Sequence, residues 1–218
     1  MMVAERKEVE EVEEYKMKFE KKDEELRIFF GDTHPTIVNS IRRTILDYVP
    51  TFAIEDVEFI KNDTGMYDEV IAHRLGLIPL ISDIKNYNFK ENCKCGGVGC
   101  ALCEVKLTLY KNEPGYVYSG DLKSDDPAIV PALKDIPITK LLGEQKIEVV
   151  SKAILGVGRE HAKWAPANSY ISEVETKEGI NRILHIEGFG QLSEEEIYNT
   201  ALDILKNNLT SLKEALEK

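Results

Sequence analysis

Residues 31–56 read GDTHPTIVNSIRRTILDYVPTFAIED and predict a helix between two β segments. Asp32 or Thr33 is available as the N-cap of this helix, and Pro35 is tolerated in its first turn. The apolar residues of the stretch recur at steps of three and four, at Val38, Ile41, Ile45 and Tyr48. Such spacing places them on one face. The stretch therefore predicts an amphipathic helix from about His34 to Tyr48.

The segment before this helix predicts a β-hairpin. Tyr15, Met17 and Phe19 alternate with lysines, and residues 21–24 form a polar turn. Apolar residues resume in the second strand, at Leu26, Ile28, Phe29 and Phe30. Because alternation with a period of two puts every second side chain on the same side, we expect one face of the hairpin to be buried.

The region from Pro50 to Pro166 differs from its surroundings. Proline ends the helix, and short predicted strands and loops follow, including Val57–Ile60, Val105–Tyr110 and Lys146–Val150. The alternation of apolar and polar residues that marks the hairpin returns only after this region, at Tyr170–Val174 and Ile183–Phe189. We therefore predict an α+β fold in which a sheet with two helices, residues 1–49 and 167–218, is interrupted by a mainly β insert at 50–166.

The last helix has the clearest start in the chain. Ser193 and Glu196 form a capping box, and Leu192 and Ile197 fit a hydrophobic staple around it. Beyond this start the apolar side chains step alternately by four and three residues, at Tyr198, Leu202, Leu205, Leu209, Leu212 and Leu216. Such a seam is long enough to pack against another helix, although it could instead only cover its own sheet.

Composition excludes several classes of protein. The 218 residues are 43% hydrophobic, which suits a packed core, and the net charge of −11 argues against a surface that neutralises phosphates. No apolar run approaches the roughly 20 residues that span a bilayer. The acidic N-terminus does not resemble a signal or transit peptide. We therefore expect a cytoplasmic protein.

Four cysteines lie close together in the insert. They are Cys93, Cys95, Cys100 and Cys103, in the pattern C-x-C-x4-C-x2-C, with glycines between them. Thiols in the cytoplasm are usually reduced, and four thiolates complete the closed tetrahedral shell of a structural zinc ion. The last three cysteines also have the spacing of plant-type ferredoxins, whose fourth cysteine lies far downstream. We therefore predict zinc as the cofactor, and the alternatives are an iron-sulfur cluster and a loop that is empty or disulfide-bonded.

Enzyme motifs are missing from the sequence. It contains no phosphate-binding G-x-x-x-x-G-K-[ST], no G-x-G-x-x-G after a strand, no H-E-x-x-H and no G-x-S-x-G. The four histidines are scattered along the chain. Composition and periodicity therefore indicate an α+β protein with a metal loop and an interaction helix, without naming a function.

Three segments together resemble a known family. Residues 31–56, EVIAHRLGLIPL at 69–80 and GREHAKWAPA at 158–167 resemble the D-type subunits of archaeal RNA polymerase, which are related to the eukaryotic third-largest subunit and the bacterial alpha N-terminal domain. The resemblance extends from about Tyr15 to Leu216. It implies a discontinuous dimerisation domain interrupted by an insert domain.

The family resemblance also implies partners. The dimerisation domain would pair with the small subunit L through Val38, Ile41, Ile45, Tyr198, Leu202, Leu205, Leu209, Leu212 and Leu216. Arg42 and Arg43 match an Arg pair near which the second-largest catalytic subunit docks, and the alternative is an ordinary exposed basic pair. Residues 73–80 would shape the insert domain, and Trp164 would be a buried core residue where the insert returns.

The implied function is assembly. The chain would be a non-catalytic scaffold that pairs with subunit L, is joined by subunits N and P, and recruits the second-largest subunit. Eukaryotic members have a compact four-Cys zinc loop, and some archaeal members carry a longer ferredoxin-like addition; the length of this chain favours zinc. Two rival functions are a free-standing iron-sulfur electron-transfer protein and a homodimeric regulator built on the same domain.

Overall fold

The computed structural model describes residues 18–22, 25–176 and 179–217. The β-strands are β1 (Lys18–Lys22), β2 (Glu25–Phe29), β3 (Pro50–Asn62), β4 (Glu104–Lys111), β5 (Gly115–Tyr118), β6 (Leu122–Ser124), β7 (Pro137–Leu141), β8 (Ile147–Val157), β9 (Ala167–Thr176) and β10 (Gly179–Gly188). The α-helices are α1 (Pro35–Tyr48), α2 (Asp68–Gly76) and α3 (Glu194–Leu216). Short 3₁₀ turns cover Lys90–Asn92, Ser119–Asp121 and Ala162–Trp164. None of the helices in these ranges is long and apolar enough to cross a membrane.

The first sheet has the antiparallel order β1-β2-β10-β9. The hairpin is confirmed by the pairing of β1 with β2, in which Lys18 faces Phe29. Leu26 and Ile28 are buried on one face, as alternation predicted. Tyr15, Met17 and residues 23–24 of the predicted hairpin lie outside the described residues.

Helix α1 spans the predicted residues, but its cap differs. The N-cap is His34, whose Nδ1 accepts a hydrogen bond from the backbone N–H of Thr36 at 3.3 Å. The prediction of Asp32 or Thr33 as N-cap was wrong. The hydroxyl of Thr33 instead donates to the carbonyl of Phe30 at 2.5 Å. Thr33 therefore belongs to the turn that follows β2, and the helix begins after it.

Helices α1 and α3 cover one face of the first sheet and form a core with it. This core contains Val38, Ile41 and Ile45 of α1, Leu184 and Ile186 of β10, and Ile197, Tyr198 and Ala201 of α3. Val38, Ile41, Ile45 and Tyr198 were expected at a partner interface, yet each is at most 4% exposed. That expectation is corrected at these four positions, because their side chains pack inside the chain and offer no surface to a partner.

The second sheet has the order β3-β8-β4-β6 and encloses a second core. Strands β3 and β8 are 13 and 11 residues long, so this region is less fragmented than the sequence suggested. It also contains helix α2, whose Ile71 and Leu75 pack into the same core. A two-stranded sheet of β5 and β7 completes the region. The fold is α+β, with the four cysteines in the region between the two parts of the first sheet.

Trp164 lies where the chain returns from the second sheet to the first. Its indole is buried, as predicted, and donates to the carbonyl of Ile154 at 3.3 Å. Its own carbonyl accepts a hydrogen bond from the hydroxyl of Thr51 at 2.7 Å. The turn at Ala162–Trp164 is thereby fixed against β3 and β8.

Candidate metal centre and partner surface

The cysteine loop connects the 3₁₀ turn at Lys90–Asn92 to the start of β4. Gly96, Gly97 and Gly99 have φ values of +67°, +84° and +103°, a region that L side chains rarely adopt. These three glycines allow the backbone to reverse within a few residues. The loop thereby returns all four cysteines to one place.

The four sulfur atoms form one tight cluster. The Sγ atoms of Cys93 and Cys100 are 3.6 Å apart, those of Cys95 and Cys103 are 3.7 Å apart, and those of Cys100 and Cys103 are 3.9 Å apart. All four lie within 4.8 Å of one another, and Cys93 and Cys103 are buried. The four predicted ligands are therefore brought together as one candidate metal site.

This spacing fits a single ion at the centre of a tetrahedron. A Zn–S bond of about 2.3 Å implies sulfur atoms about 3.8 Å apart in a tetrahedral shell, close to the separations in this loop. An iron-sulfur cluster distributes its cysteines over two or more irons bridged by sulfides, which requires a wider spread of thiolates. The geometry thus favours one metal ion over a multi-iron cluster.

The thiols have unequal environments. A hydrogen bond from the backbone N–H of Gly99 lowers the pKa of the Cys95 thiol to about 6. Burial raises the pKa of the Cys103 thiol to about 12. Cys95 is therefore more readily deprotonated at neutral pH than Cys103, which needs a metal ion to displace its proton.

Two lysines hold the base of the loop through Glu104. Lys90 Nζ is 3.2 Å from one carboxylate oxygen of Glu104, and Lys152 Nζ is 3.7 Å from the other. These contacts join the entrance of the loop to β4 and β8. Sequence reasoning missed them, because only the folded loop brings Lys90 beside the residue that follows Cys103.

The predicted interface seam on α3 divides into two parts. Leu202 and Leu205 are half-buried against the first core. Leu209, Leu212 and Leu216 are 58%, 56% and 78% exposed and extend the same stripe beyond the sheet. The part of α3 after Leu205 thus presents an apolar face that the described residues leave uncovered.

The remaining predicted site residues lie apart from the metal loop. Arg42 is half-exposed and donates to the side chain of Asn39 at 3.0 Å, and Arg43 is exposed. Within the described residues neither arginine forms an ion pair. Arg74 of α2 instead donates to the carbonyl of Ile138 at 2.8 Å, a contact that ties α2 to β7.

Comparison with known proteins identifies relatives over most of this fold. A family model described as the RNA polymerase Rpb3/RpoA insert domain matches residues 55–172, just over half of the chain. The protein named DNA-directed RNA polymerase subunit Rpo3 from Methanothermobacter thermautotrophicus is 43% identical over 172 residues, which are 76% of this chain and 65% of that protein.

Proteins with the same name from other organisms are also similar to this chain. The one from Archaeoglobus fulgidus is 37% identical over 166 residues, covering 74% of this chain and 63% of the relative. The one from Pyrococcus furiosus is 42% identical over 151 residues, covering 69% and 56%. The chain spans 56% to 65% of the length of these curated relatives. The chain therefore belongs to the Rpb3/RpoA family of RNA polymerase subunits.

Proposed function

We propose that this chain is a non-catalytic assembly subunit of a DNA-directed RNA polymerase. The observation that carries the proposal is the exposed apolar end of α3, a surface of Leu209, Leu212 and Leu216 on a helix whose first half is firmly packed. The relatives of this chain are named as DNA-directed RNA polymerase subunits, which supports a polymerase as the complex in which this surface would be covered.

The partner for this surface is subunit L. Leu202 and Leu205 are half-buried at the edge of the first core, so a helix of the partner laid along α3 would continue that core outward. A helical pair of this kind buries the apolar area that a permanent interface requires. Residues 1–49 and 167–218 would form the dimerisation domain, and residues 50–166 the insert domain.

Further subunits join this pair. Subunits N and P bind the heterodimer, and the second-largest catalytic subunit docks near Arg42 and Arg43. Both arginines lie on the solvent side of α1, and guanidinium groups pair with carboxylates or carbonyls in a fixed geometry. This chain positions the other subunits and provides the surfaces to which they bind, and the large subunits supply the active site.

Zinc is the proposed metal of the cysteine loop. Cys93, Cys95, Cys100 and Cys103 would hold it in a closed four-thiolate shell, which leaves no open position for substrate. The ion would stabilise the fold of the loop on β4 and would contribute no chemistry to nucleotide addition. Zinc binding would therefore support assembly through the shape of the insert domain.

Stepwise reconstitution tests the assembly function. The chain is mixed with subunit L, then with N and P, then with the second-largest and largest subunits, and each step is followed by size-exclusion chromatography. We expect RNA synthesis only from the full assembly, and we expect omission of this chain to prevent the second-largest subunit from joining the small ones. Assembly of an active enzyme without this chain would refute the proposal.

A further inference from the structure

A chain of hydrogen bonds joins three strands on the open face of the first sheet. Leu184 and Ile186 of β10 pack under α1 and α3, so His185 between them lies on the opposite, open face. Its Nε2 is 2.7 Å from the hydroxyl oxygen of Ser172 on β9, and its Nδ1 is 2.6 Å from Oε1 of Glu25 on β2. Hydroxyl, imidazole and carboxylate thus stand in the order that activates a serine.

The position of the imidazole proton follows from the charge of Glu25. Burial opposes ionisation of this carboxyl, but hydrogen bonds from His185, Arg27 and Tyr170 outweigh burial and lower the pKa of Glu25 below its usual value. An ionised carboxylate only accepts hydrogen bonds, so Nδ1 of His185 is the donor. In the neutral ring Nε2 is then the acceptor, and the hydroxyl of Ser172 donates to it.

Two neighbours hold the imidazole of His185 in this orientation. The ring of Tyr170 stacks on it, with centroids 4.3 Å apart and planes 6° apart, and the Tyr170 hydroxyl donates to Oε1 of Glu25 at 3.0 Å. Arg27 donates from Nε to the other oxygen of Glu25 at 2.7 Å. Because His185 is only 7% exposed, its ring has little freedom to turn away from Ser172.

The surface beside Ser172 is apolar. Ser172 itself is partly exposed, and its cross-strand neighbour is Ile183, whose partner on the next strand is Phe29. Val174, two residues further along β9, is 48% exposed. Paired residues, and residues two apart on one strand, share a face of the sheet, so these three side chains lie on the face of the hydroxyl. A short aliphatic group suits this surface better than a charged one.

We propose that Ser172 is an acyl-acceptor site for activated aliphatic esters. His185 takes the hydroxyl proton as Oγ attacks the ester carbonyl, the bond to the leaving oxygen breaks, and the leaving group receives the proton from the imidazolium. The products are an acyl ester on Ser172 and a free alcohol, without any change of oxidation state. Glu25 is a positioning residue, since it keeps the ring in the reactive tautomer. This inference goes beyond the assembly function and does not depend on it.

Labelling with 4-nitrophenyl butyrate tests the inference. The full chain, co-expressed with subunit L, is incubated with the ester, and butyrylated peptides are quantified by mass spectrometry. We expect Ser172 to react at least about a hundredfold faster than Ser211, an exposed serine of α3, because a general base contributes at least that factor. The 4-nitrophenyl ester with a charged succinyl chain should react more slowly at Ser172. Equal rates at the two serines would overturn the inference.

Three variants separate reactivity from folding. His185→Gln should lower the acylation rate of Ser172 to that of Ser211, because an amide cannot take the proton, whereas His73→Gln, at an exposed histidine of α2, should not. Glu25→Gln should also lower the rate, since an amide can donate to Nδ1 and so moves the ring proton to Nε2. A Glu25→Gln chain with a lower melting temperature but an unchanged acylation rate would show a purely structural network and would contradict the inference.

Discussion

The absence of a Cβ at Gly156 allows Trp164 to pack against the second sheet. The indole ring lies directly on Gly156, and a Cβ added there would overlap the ring. Because the indole is rigid and donates to the carbonyl of Ile154, it cannot move aside without breaking that bond. The small residue and the large one therefore form one packing unit.

We expect Gly156→Ala to lower the free energy of unfolding by about 1–3 kcal/mol, the usual cost of overpacking a core. Urea unfolding followed by Trp164 fluorescence measures this change. Gly65→Ala is the matched control, since an added Cβ there meets nothing within 4 Å. Equal stability of the two variants would show that the indole has room to shift.

The cysteine loop makes a prediction about metal content. We expect the purified protein to contain one zinc ion per chain and to be colourless, and we expect Cys95→Ser to lose most of this zinc, because three thiolates leave the shell incomplete. Elemental analysis measures the metal. Val98→Ser is the control, as Val98 is an exposed residue of the same loop.

Removal of the metal should also expose the loop. In the presence of a strong chelator we expect rapid proteolysis between residues 88 and 104, with the strands on either side still protected. A metal-free wild-type protein whose loop resists protease would contradict the proposed role of the ion. Visible absorbance near 400 nm would point to the iron-sulfur alternative.

The start of α3 is stabilised by its capping box. The hydroxyl of Ser193 accepts from the backbone N–H of Glu196 at 3.3 Å, and the Glu196 carboxylate accepts from the backbone N–H of Ser193 at the same distance. This confirms the capping box that was predicted from the sequence. It also fixes the direction in which the exposed end of the helix leaves the sheet.

Ser193→Ala should cost about 1 kcal/mol of stability, because it leaves a backbone donor of the first turn unpaired. Thermal unfolding of the variant is compared with that of Ser211→Ala, which changes an exposed serine within the same helix. The second substitution should be neutral or slightly stabilising, since alanine favours helix. Similar losses in both variants would argue that the cap is unimportant.

In the proposed function, the exposed stripe of α3 carries the interaction with subunit L. We expect Leu209→Glu combined with Leu212→Glu to abolish the heterodimer while leaving the thermal stability of this chain unchanged, because neither side chain belongs to the core. Analytical size-exclusion chromatography of the co-expressed pair measures this loss.

The control for that variant is Asn207→Glu combined with Ser211→Glu. These residues lie on the opposite face of the same helix and add the same charge. We expect the control pair to elute as wild type. A heterodimer that survives the leucine substitutions would place the interface elsewhere on the molecule.

Across the whole molecule, local patterns were predictable and long-range packing was not. The span of α1 and the capping box of α3 depend on residues within a few positions of each other, so the sequence was sufficient for them. Periodicity also identified the apolar face of α1. It could not reveal that this face is covered from within the chain, because the covering residues of β10 and α3 are far away in sequence.

The same contrast between local pattern and long-range packing applies to the candidate site. Four cysteines within eleven positions indicated a metal loop, and the structure brings their sulfur atoms within 4.8 Å. The depression that is lined by Leu77, Leu133 and Phe189 was not foreseen, because these residues come from segments that only the tertiary fold places side by side. Isolated leucines in loops carry no signal of a shared surface.

The architecture joins two separately packed cores in one chain. One core is formed by residues near the two ends of the described chain, and the other by the region between them. In the proposed function, the first sheet and its helices meet one partner, while the region between them, with its cysteine loop, meets others. The proposed assembly function therefore depends most on whether α3 has a partner.

The native mass of this chain after co-expression with subunit L tests that claim most directly. We predict a stable complex of one copy of each subunit, and a poorly soluble or self-associating chain when subunit L is left out. A chain that stays a soluble monomer in the presence of subunit L, with its α3 leucines still exposed to solvent, would contradict the assembly function.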